Sequence, residues 1–252
     1  MADCKDQIKD LLLNRAILKQ DVFENTKAQF QIFKEVVKNE LDCLKSELNN
    51  DRIRLFYEEK GDYEIHAYIG SDVLVFNMHT NVFRFTDDNP LWKSSYLANN
   101  KGMGYCGVIN VYNFLAESFL QGRMNDAGFL IGRVFLNKEN HFMVEGKGQL
   151  GFLFRDFVNS KLTKDIWKDI VERTFIHAIE FDLISPPYEK VNVVSVMQIK
   201  SLSSSLQMKT SKRLGFKFKA EQDKIIKFFF KKILRVWKIY LYFHPQSQTT
   251  QA

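Results

Sequence analysis

Glu145 and Lys147 are the two residues whose types and spacing come closest to a catalytic element. They lie two apart in "VEGK", at the end of a segment that reads as a β-strand. A glutamate paired with a second acid could hold Mg²⁺ while the lysine polarises an attacking water. This chemistry would make the protein a metal-dependent nuclease, and Asp72 and Asp126 are the candidates for the second acid.

The predicted strand pairing bears on whether those acids can meet. With "NKEN" (137–140) as the turn of a hairpin, Leu136 faces His141 and residue 145 pairs with residue 132. Asp126 then lies roughly 20 Å out of register along the strand. Because a shared metal tolerates about 4–5 Å between its carboxylates, only Asp72 could serve, and only if the strand order brings it beside Glu145.

Asn77 and His79 form a polar pair on a predicted strand that is otherwise apolar. Residues two apart on a strand point to the same face. The segment that follows, residues 86–106, has no hydrophobic period. A segment of this length is typical of a lid or a binding loop, or else it contains secondary structure that the pattern does not reveal. We therefore predict a ligand or partner site that combines Asn77 and His79 with Trp92 and Tyr105 from this segment.

Other patterns in the sequence favour neither a metal nor a nucleotide. "GMGYCG" (102–107) matches GxGxxG, but β-branched residues follow it where the dinucleotide fingerprint needs a helix. No Cys/His spacing fits structural zinc, and the three cysteines suit reduced thiols better than a disulfide framework. We predict no cofactor, and Mg²⁺ would be one only if the protein were the alternative, a metal-dependent nuclease.

The segment 224–243, "KIIKFFFKKILRVWKIYLYF", combines six basic residues with fourteen apolar or aromatic ones. On a helix of about 100° per residue the basic residues fall within an arc of about 140°, opposite a wide apolar face. An anionic membrane surface selects this pattern, and so does an acidic protein partner, whereas nucleic acid fits less well. The predicted membrane-binding or partner-binding residues are Lys224, Lys227, Phe228, Lys231, Arg235, Trp237 and Lys238.

The positive charge of the chain is concentrated in its C-terminal part. The net charge is +6, yet residues 200–252 hold twelve basic residues against two acids, which leaves residues 1–199 with a net charge of −4. The N-terminus is charged from its third residue, unlike a secretory signal, and no apolar stretch is long enough to span a membrane. We expect a cytoplasmic protein that can take a peripheral position on the inner face of a membrane.

Helical patterns cover residues 5–49, with a break expected near "NTK" (25–27) and a stop at "NND" (49–51). One face carries apolar residues at steps of three and four. These residues are Phe30, Phe33, Val37, Leu41, Leu44 and Leu48, with Lys34, Lys38, Glu40 and Lys45 expected outside the face. The face predicts either a helix that covers a sheet or the seam of a homo-oligomer through residues 28–49.

Strands and further helices are predicted between residues 51 and 200. The strand segments are 53–59, 64–69, 73–80, 82–85, 128–136 and 141–146. A short helix is expected over 110–120, an amphipathic helix after Thr163, and a buried strand over 191–199.

The pattern as a whole predicts an α+β fold. It has N-terminal helices, an antiparallel β meander and hairpins, an amphipathic helix packed on the sheet and a C-terminal basic helix. The predicted divisions are a helical segment (1–50), an α+β domain (51–200) and a basic linker with the amphipathic helix (201–252).

No motif fixes a reaction, so the functional prediction depends on the C-terminal segment. We predict a non-enzymatic binding or regulatory module whose basic amphipathic helix docks on an anionic membrane surface or on an acidic partner. The nuclease and a structural oligomer through the N-terminal helix are the alternatives.

Overall fold

The computed structural model describes residues 3–124, 126–182, 187–193 and 195–197. Within these residues the fold is the predicted α+β arrangement, with a long N-terminal helix, a seven-stranded antiparallel sheet and further helices. The basic helix predicted over 224–243 lies outside the described residues.

A continuous helical segment opens the structure. It consists of α1 (Cys4–Asp10), a π-helical segment (Leu11–Ala16) and α2 (Ile17–Leu48). It ends at Asn49, whose φ of 40° provides a left-handed C-cap and agrees with the predicted stop.

The break predicted near residues 25–27 is absent. The polar side chains there are satisfied without leaving the helix. The Thr26 hydroxyl donates to the Val22 carbonyl at 2.6 Å, and the Asn25 amide donates to the Asn137 carbonyl at 2.9 Å. Asn25 and Thr26 therefore fasten the helix rather than interrupt it.

The strands form one antiparallel sheet. Their spatial order is β1-β2-β3-β5-β6-β7, and β4 pairs with the first residues of β5. The strands are β1 (Leu55–Glu59), β2 (Glu64–Ile69), β3 (Asp72–Met78), β4 (Phe83–Arg84), β5 (Tyr105–Leu115), β6 (Phe129–Leu136) and β7 (Phe142–Gly146).

The hairpin between β6 and β7 forms as predicted, but its register differs by one residue. Leu136 pairs with Phe142 rather than with His141. The turn closes one residue later because the Asn137 N–H donates to the His141 carbonyl at 3.0 Å, and Asn140 takes a φ of 65° inside the loop. A three-residue loop with a left-handed third residue is a common hairpin connection.

The short helix predicted over residues 110–120 is wrong for most of its length. Residues up to Leu115 belong to β5, and only α4 (Ala116–Leu120) is helical. The central strand is buried on both faces and carries asparagines at positions 110 and 113, on opposite faces. Its apolar residues therefore show neither a clean strand period nor a clean helix period.

The main core lies between one face of the sheet and two helices, α2 and α6 (Lys164–Ile179). The short helix α5 (Gln149–Leu153) precedes α6. Phe33 of α2 contacts Phe76 of β3 edge to face, with ring centroids 4.9 Å apart, and lies 4.7 Å from the Trp167 ring of α6. The predicted cap of α6 is confirmed, since the Thr163 hydroxyl accepts the N–H of Ile166 at 3.3 Å. Helix and sheet share this core across the division predicted at residue 50.

The apolar face of α2 covers the sheet, which was the first of its two predicted roles. Phe30, Phe33, Val37 and Leu41 are buried in the core. A homo-oligomer seam through residues 28–49 would need these same side chains at its surface, but they are buried against the sheet of their own chain. Lys34 was expected outside the face, but it is 2% exposed, and its ammonium pairs with a carboxylate of β1.

The opposite face of the sheet carries two smaller apolar clusters. One lies beneath residues 86–104, which form two 3-10 turns around α3 (Ser95–Asn99). Its buried members are Phe85, Leu97, Met103, Cys106 and Phe157. The other cluster lies beneath α4 and contains Tyr68, Val73, Val75 and Ala116. The segment without a visible period is therefore a packed cover over one end of the sheet.

The buried strand predicted over residues 191–199 is wrong where the structure describes it. Helix α7 (Tyr188–Val191) includes the first residue of this segment, and Val193, Val196 and Met197 are 84%, 72% and 80% exposed. β-Branched composition predicts a strand only where a neighbouring strand is available, and no described strand pairs with these residues.

The two edges of the sheet differ. At β7 the outer edge is covered, because the N–H groups of Phe142 and Val144 donate to the carbonyls of Ser160 and Phe154 at 3.3 and 2.6 Å. At β1 no strand of the described residues pairs with the outer side. Among the described helices, none is long and apolar enough to cross a membrane.

Candidate functional site

A continuous row of polar residues crosses the face of the sheet that α2 and α6 leave uncovered. Glu64 of β2 pairs with Asn77 of β3, Asn77 with Asn110 of β5, Asn110 with Arg133 of β6, and Arg133 with Glu145 of β7. Five strands thus each contribute one polar side chain at the same level. At about 4.8 Å between strands, the row extends roughly 19 Å across the sheet. We call these five residues the polar row.

Hydrogen bonds organise the two ends of the polar row. The Asn77 amide donates to one Glu64 carboxylate oxygen at 2.9 Å, and His66 Nε2 lies 2.8 Å from the other. At the far end, the Arg133 guanidinium donates to the Glu145 carboxylate. The side chain of Asn110, in the middle, has no hydrogen bond within the described part of the chain.

The polar row is accessible along its length. The side chains of Glu64, Arg133 and Glu145 are 30%, 44% and 45% exposed, and Asn77 and Asn110 are half-buried. Apolar residues lie on both sides of it, because the two smaller clusters occupy the ends of this sheet face. The row therefore offers hydrogen-bonding groups on an accessible face of the sheet, between two apolar clusters. Ligand sites likewise combine a few placed polar groups with apolar surroundings.

Aromatic and titratable groups flank the row on the side of α4. The buried His66 ring meets the Phe119 ring edge to face at 5.0 Å, and its Nδ1 has no hydrogen-bond partner within the described residues. The Tyr68 hydroxyl donates to Glu58 at 3.3 Å. Burial, reinforced by this carboxylate, raises the pKa of Tyr68 to about 12, so the phenol stays protonated at neutral pH.

The residues predicted for a ligand site are only partly brought together. Asn77 belongs to the polar row. His79 lies two residues along the same face, where its Nδ1 accepts the N–H of Asn81 at 2.9 Å and its ring meets Phe83 at 4.7 Å. His79 thus closes the turn into β4, one residue beyond the end of β3.

Trp92 and Tyr105 lie apart from that pair. The Trp92 indole N–H donates to the Thr86 carbonyl at 2.8 Å, its ring packs on Gly104, and the Arg84 guanidinium lies 4.6 Å above it. Trp92 therefore holds the cover formed by residues 86–104. Tyr105 lies near the N-terminal helix, with Arg15 and Lys19 each 6.0 Å from its ring.

The acids of the nuclease hypothesis do not converge. Glu145 is paired with Arg133, whereas the Asp126 carboxylate accepts the Ser118 hydroxyl at 2.7 Å. Asp72 lies on β3, and β5 and β6 separate it from Glu145 on β7. Three strand spacings alone separate them by roughly 14 Å, beyond the reach of one shared ion, and Asp72 is also level with Leu115 of β5 whereas Glu145 is level with Asn110.

Lys147 also stands outside any acid cluster. Its ammonium lies 5.7 Å from the Phe129 ring. No group of three or more histidines, cysteines or acids that could hold a metal occurs among the described residues. The Mg²⁺ site on which the nuclease hypothesis depends is therefore not formed by the four residues named for it.

Close packing accounts for two glycines of the GxGxxG match. A Cβ on Gly107 would collide with the Thr26 side chain of α2, and a Cβ on Gly104 would collide with the Trp92 ring. Gly107 lies inside β5, whereas the nucleotide fingerprint needs a helix to open at its last glycine. These glycines let a helix and an indole approach the sheet.

Sequence reasoning identified only part of the polar row. It named Asn77 and Glu145, in two separate hypotheses, but it missed Glu64, Asn110 and Arg133. Asn110 was missed because its segment was assigned to a helix. Polar residues at alternate positions of each apolar strand were the available signal, but only the strand order shows that they lie level with one another.

Comparison of the chain with protein-family models, with curated proteins and with solved structures found no match.

Proposed function

We propose that the protein is a non-enzymatic binding module that docks on an anionic membrane surface through its basic segment, residues 224–243. The observation that carries the proposal is the separation of charge along the chain. Residues 200–252 have a net charge of +10, and residues 1–199 have a net charge of −4. An anionic surface would attract the first part and repel the second.

The apolar residues of the segment favour a membrane over a soluble acidic partner. On a helix, Phe228 and Trp237 fall on the face opposite the basic arc, where rings can enter the headgroup region while lysine stems extend outward. Each basic residue near an anionic surface contributes about 1 kcal/mol. An acidic partner would need a matching apolar groove to cover these rings, whereas a membrane accepts them without one.

Cosedimentation with vesicles tests this proposal. The full chain should pellet with vesicles that contain phosphatidylserine and should stay in solution with pure phosphatidylcholine. The variant Lys227→Glu/Lys231→Glu/Arg235→Glu should lose at least about 100-fold in partitioning, from three lost contributions of about 1 kcal/mol each. Phe228→Ala/Trp237→Ala should also weaken binding.

A matched control separates the segment from net charge alone. Lys93, Lys101 and Lys161 are exposed and form no ion pair within the described residues, so reversing them changes the total charge equally. This control should bind vesicles nearly as well as the unmodified chain. Equal loss in both triple variants, or full binding after removal of residues 220–252, would contradict docking through the segment. Loss of binding in the basic variant alone, with none in the ring variant, would show that charge alone holds the chain on the vesicles and would contradict insertion of the rings.

We propose a second binding surface at the polar row, with a neutral polyhydroxylated ligand such as a sugar. The row offers amide and guanidinium donors beside amide and carboxylate acceptors, and hydroxyl groups can satisfy both kinds. Two glutamates against one arginine make the row negative by one charge, which disfavours phosphates. The supporting observation is that polar side chains are aligned on five strands of a face that is apolar above and below.

Thermal unfolding with added glucose, maltose or cellobiose tests the second surface. A ligand that binds only the folded state raises the melting temperature as its concentration rises. The shift should disappear in Asn77→Ala/Asn110→Ala and persist in a control at exposed Asn159, Asn159→Ala. No shift with any of these sugars, or an equal shift in all three proteins, would contradict the proposal.

A further inference from the structure

The start of the N-terminal helix carries an apolar surface for which the described residues offer no cover. Neither α1 nor the π-helical segment contains a buried residue. The exposed fractions are 55% for Ile8, 47% for Leu11, 58% for Leu12, 64% for Leu13 and 51% for Ile17. Helices in proteins gain most of their stability from packing an apolar face, and contiguous exposed patches mark interaction surfaces.

The folded domain holds this helix from one side only. Leu18 packs beside Gly102, and Arg15 and Lys19 lie 6.0 Å from the Tyr105 ring. The helix first becomes buried at Val22. About five turns before that point are therefore supported at their C-terminal end and leave their leucines in contact with solvent.

Charge is distributed unevenly along these turns. The N-terminal half carries Asp3, Asp6 and Asp10, and the C-terminal half carries Arg15 and Lys19, followed by one acid, Asp21. Lys5 and Lys9 partly offset the first group, and Lys9 already pairs with Asp6 at 3.0 Å. The start of the helix is thus more acidic at its N-terminal end and more basic at its C-terminal end. An antiparallel second copy would place the acidic end of one chain beside the basic end of the other.

We propose that residues 4–17 form an antiparallel helix pair with a second copy of this chain. In a two-fold arrangement that places residue 12 level with residue 13 of the other copy, Ile8 lies level with Ile17. The same register sets Asp6 against Lys19 and Asp10 against Arg15. A two-fold pair needs this kind of self-complementary surface, and here apolar and charged positions agree on one register.

The charge pattern also selects the occupant. Residues 3–19 hold four basic residues against three acids, and this near balance gives neither the basic segment 200–252 nor an anionic membrane a strong net attraction. A second copy alone places acids against bases at both ends. The pair would use a part of the helix different from residues 28–49, whose apolar face is buried against the sheet.

A charge-exchange experiment tests the register. The variants Asp6→Lys/Asp10→Lys and Arg15→Glu/Lys19→Glu each set like charges against one another in the pair, so each alone should have the mass of one 29.6 kDa chain in light scattering. Mixed together, they restore all four opposite-charge pairs, and the mass should double. The unmodified chain should also show the doubled mass. A monomeric unmodified chain, or a mixture that stays monomeric while the unmodified chain is dimeric, would overturn the proposal.

An apolar variant tests the surface itself. Leu12→Asp/Leu13→Asp should halve the mass of the particle and leave the far-ultraviolet circular dichroism of the domain nearly unchanged, because neither side chain is buried. The matched control, Leu120→Asp/Ile179→Asp, changes two residues that are 48% and 60% exposed elsewhere, and it should stay dimeric. A doubled mass that survives Leu12→Asp/Leu13→Asp would show that the chains meet through another surface.

Discussion

Lys34 brings a positive charge into the main core. Its side chain is 3% exposed, and its ammonium donates to Glu59 at 2.9 Å and to the Gly61 carbonyl at 2.8 Å. Glu59 also forms an ion pair with the Lys38 ammonium, so one carboxylate of β1 pairs with two lysines of α2. Charges are rarely buried without a partner, because desolvation of an unpaired ammonium is costly. Glu59 therefore fixes how α2 lies on the edge of the sheet.

Replacing this carboxylate should weaken the fold. We expect Glu59→Gln to lower the free energy of unfolding by about 1–2 kcal/mol, because Lys34 keeps its carbonyl partner and the exposed side of Glu59 is screened by water. Urea denaturation measures the change. The control Asp62→Asn removes an exposed pair with Lys27 and should leave the urea midpoint nearly unchanged, because water screens that pair. Equal effects from both substitutions would contradict a special role for Glu59.

The same pair predicts a dependence on pH. Hydrogen bonds from Lys38, and then from Lys34, hold the pKa of Glu59 below its ordinary value. A carboxyl whose pKa is lowered by folding stabilises the protein above its unfolded pKa of about 4.3, and this contribution is lost as pH falls through the folded value. The difference in stability between the unmodified chain and Glu59→Gln should therefore shrink below about pH 4. A difference that stays constant down to pH 2 would contradict this origin.

Asn113 is the opposite case, a buried polar group that lacks a partner. It is 1% exposed, and neither its amide nitrogen nor its oxygen has a hydrogen bond within the described residues. It pairs with Leu74 and Phe129 on the neighbouring strands. We expect Asn113→Leu to raise the free energy of unfolding by about 1–3 kcal/mol, since an unsatisfied buried amide is removed. Asn110→Leu, on the accessible face, should change it little, and a loss of stability in Asn113→Leu would contradict the expectation.

At the scale of elements, α2 approaches β5 closely at Gly107. Gly107 lies against the Thr26 side chain, which leaves no room for a Cβ. We expect Gly107→Ala to lower the free energy of unfolding by about 1–3 kcal/mol through overpacking. Gly132→Ala, on the neighbouring strand, is the control, because its nearest atom would lie at 3.7 Å.

A double-mutant cycle identifies the source of that effect. In a Thr26→Ala background, Gly107→Ala should cost less, with a coupling of at least about 0.5 kcal/mol between the two positions. Additive effects would show that Gly107 matters for the strand alone rather than for the approach of the helix.

Local signals allowed many of the elements to be predicted. These signals depend only on residues that are close together in the sequence. They include the alternation of β1, β2 and β3, the cap at Thr163 and the stop at Asn49. Lys34 shows the limit of such reasoning. Its place in the helical pattern suggested an exposed position, but a long side chain can carry its charge to a distant carboxylate. Glu59, its partner, belongs to a separate strand.

The polar row shows why the candidate site was harder to predict than the fold. Its residues span from Glu64 to Glu145 in sequence and become neighbours only through the strand order. One strand misassigned as a helix, around Asn110, was enough to hide the row. The hairpin register, wrong by one residue, also hid the partnership of Arg133 and Glu145.

At the scale of the whole molecule, the two faces of the sheet should unfold together. Trp167 lies in the main core and Trp92 in the smaller cluster beneath residues 86–104, and strands β5 and β6 contribute to both clusters. A shared sheet couples such clusters into one cooperative unit.

Fluorescence can test this coupling cluster by cluster. Trp92→Phe/Trp237→Phe leaves Trp167 as the reporter, and Trp167→Phe/Trp237→Phe leaves Trp92. In each variant the fluorescence midpoint in urea should coincide with the midpoint from far-ultraviolet circular dichroism. A fluorescence change of Trp92 at lower urea than the loss of secondary structure would show that the cover over the sheet opens separately.

The uneven edges of the sheet have a consequence for misassembly. An unprotected strand edge is a template on which other chains can add strands and grow into fibrils. At β7 the chain's own backbone already occupies that template. At β1 the charged run Glu58, Glu59 and Lys60 lies along the strand end, and charges there oppose the stacking of identical strands. The edge at β7 is thus protected by the chain's own backbone, and the edge at β1 by charged side chains. Acid conditions that neutralise the two glutamates would therefore leave β1 more vulnerable to fibril growth than β7.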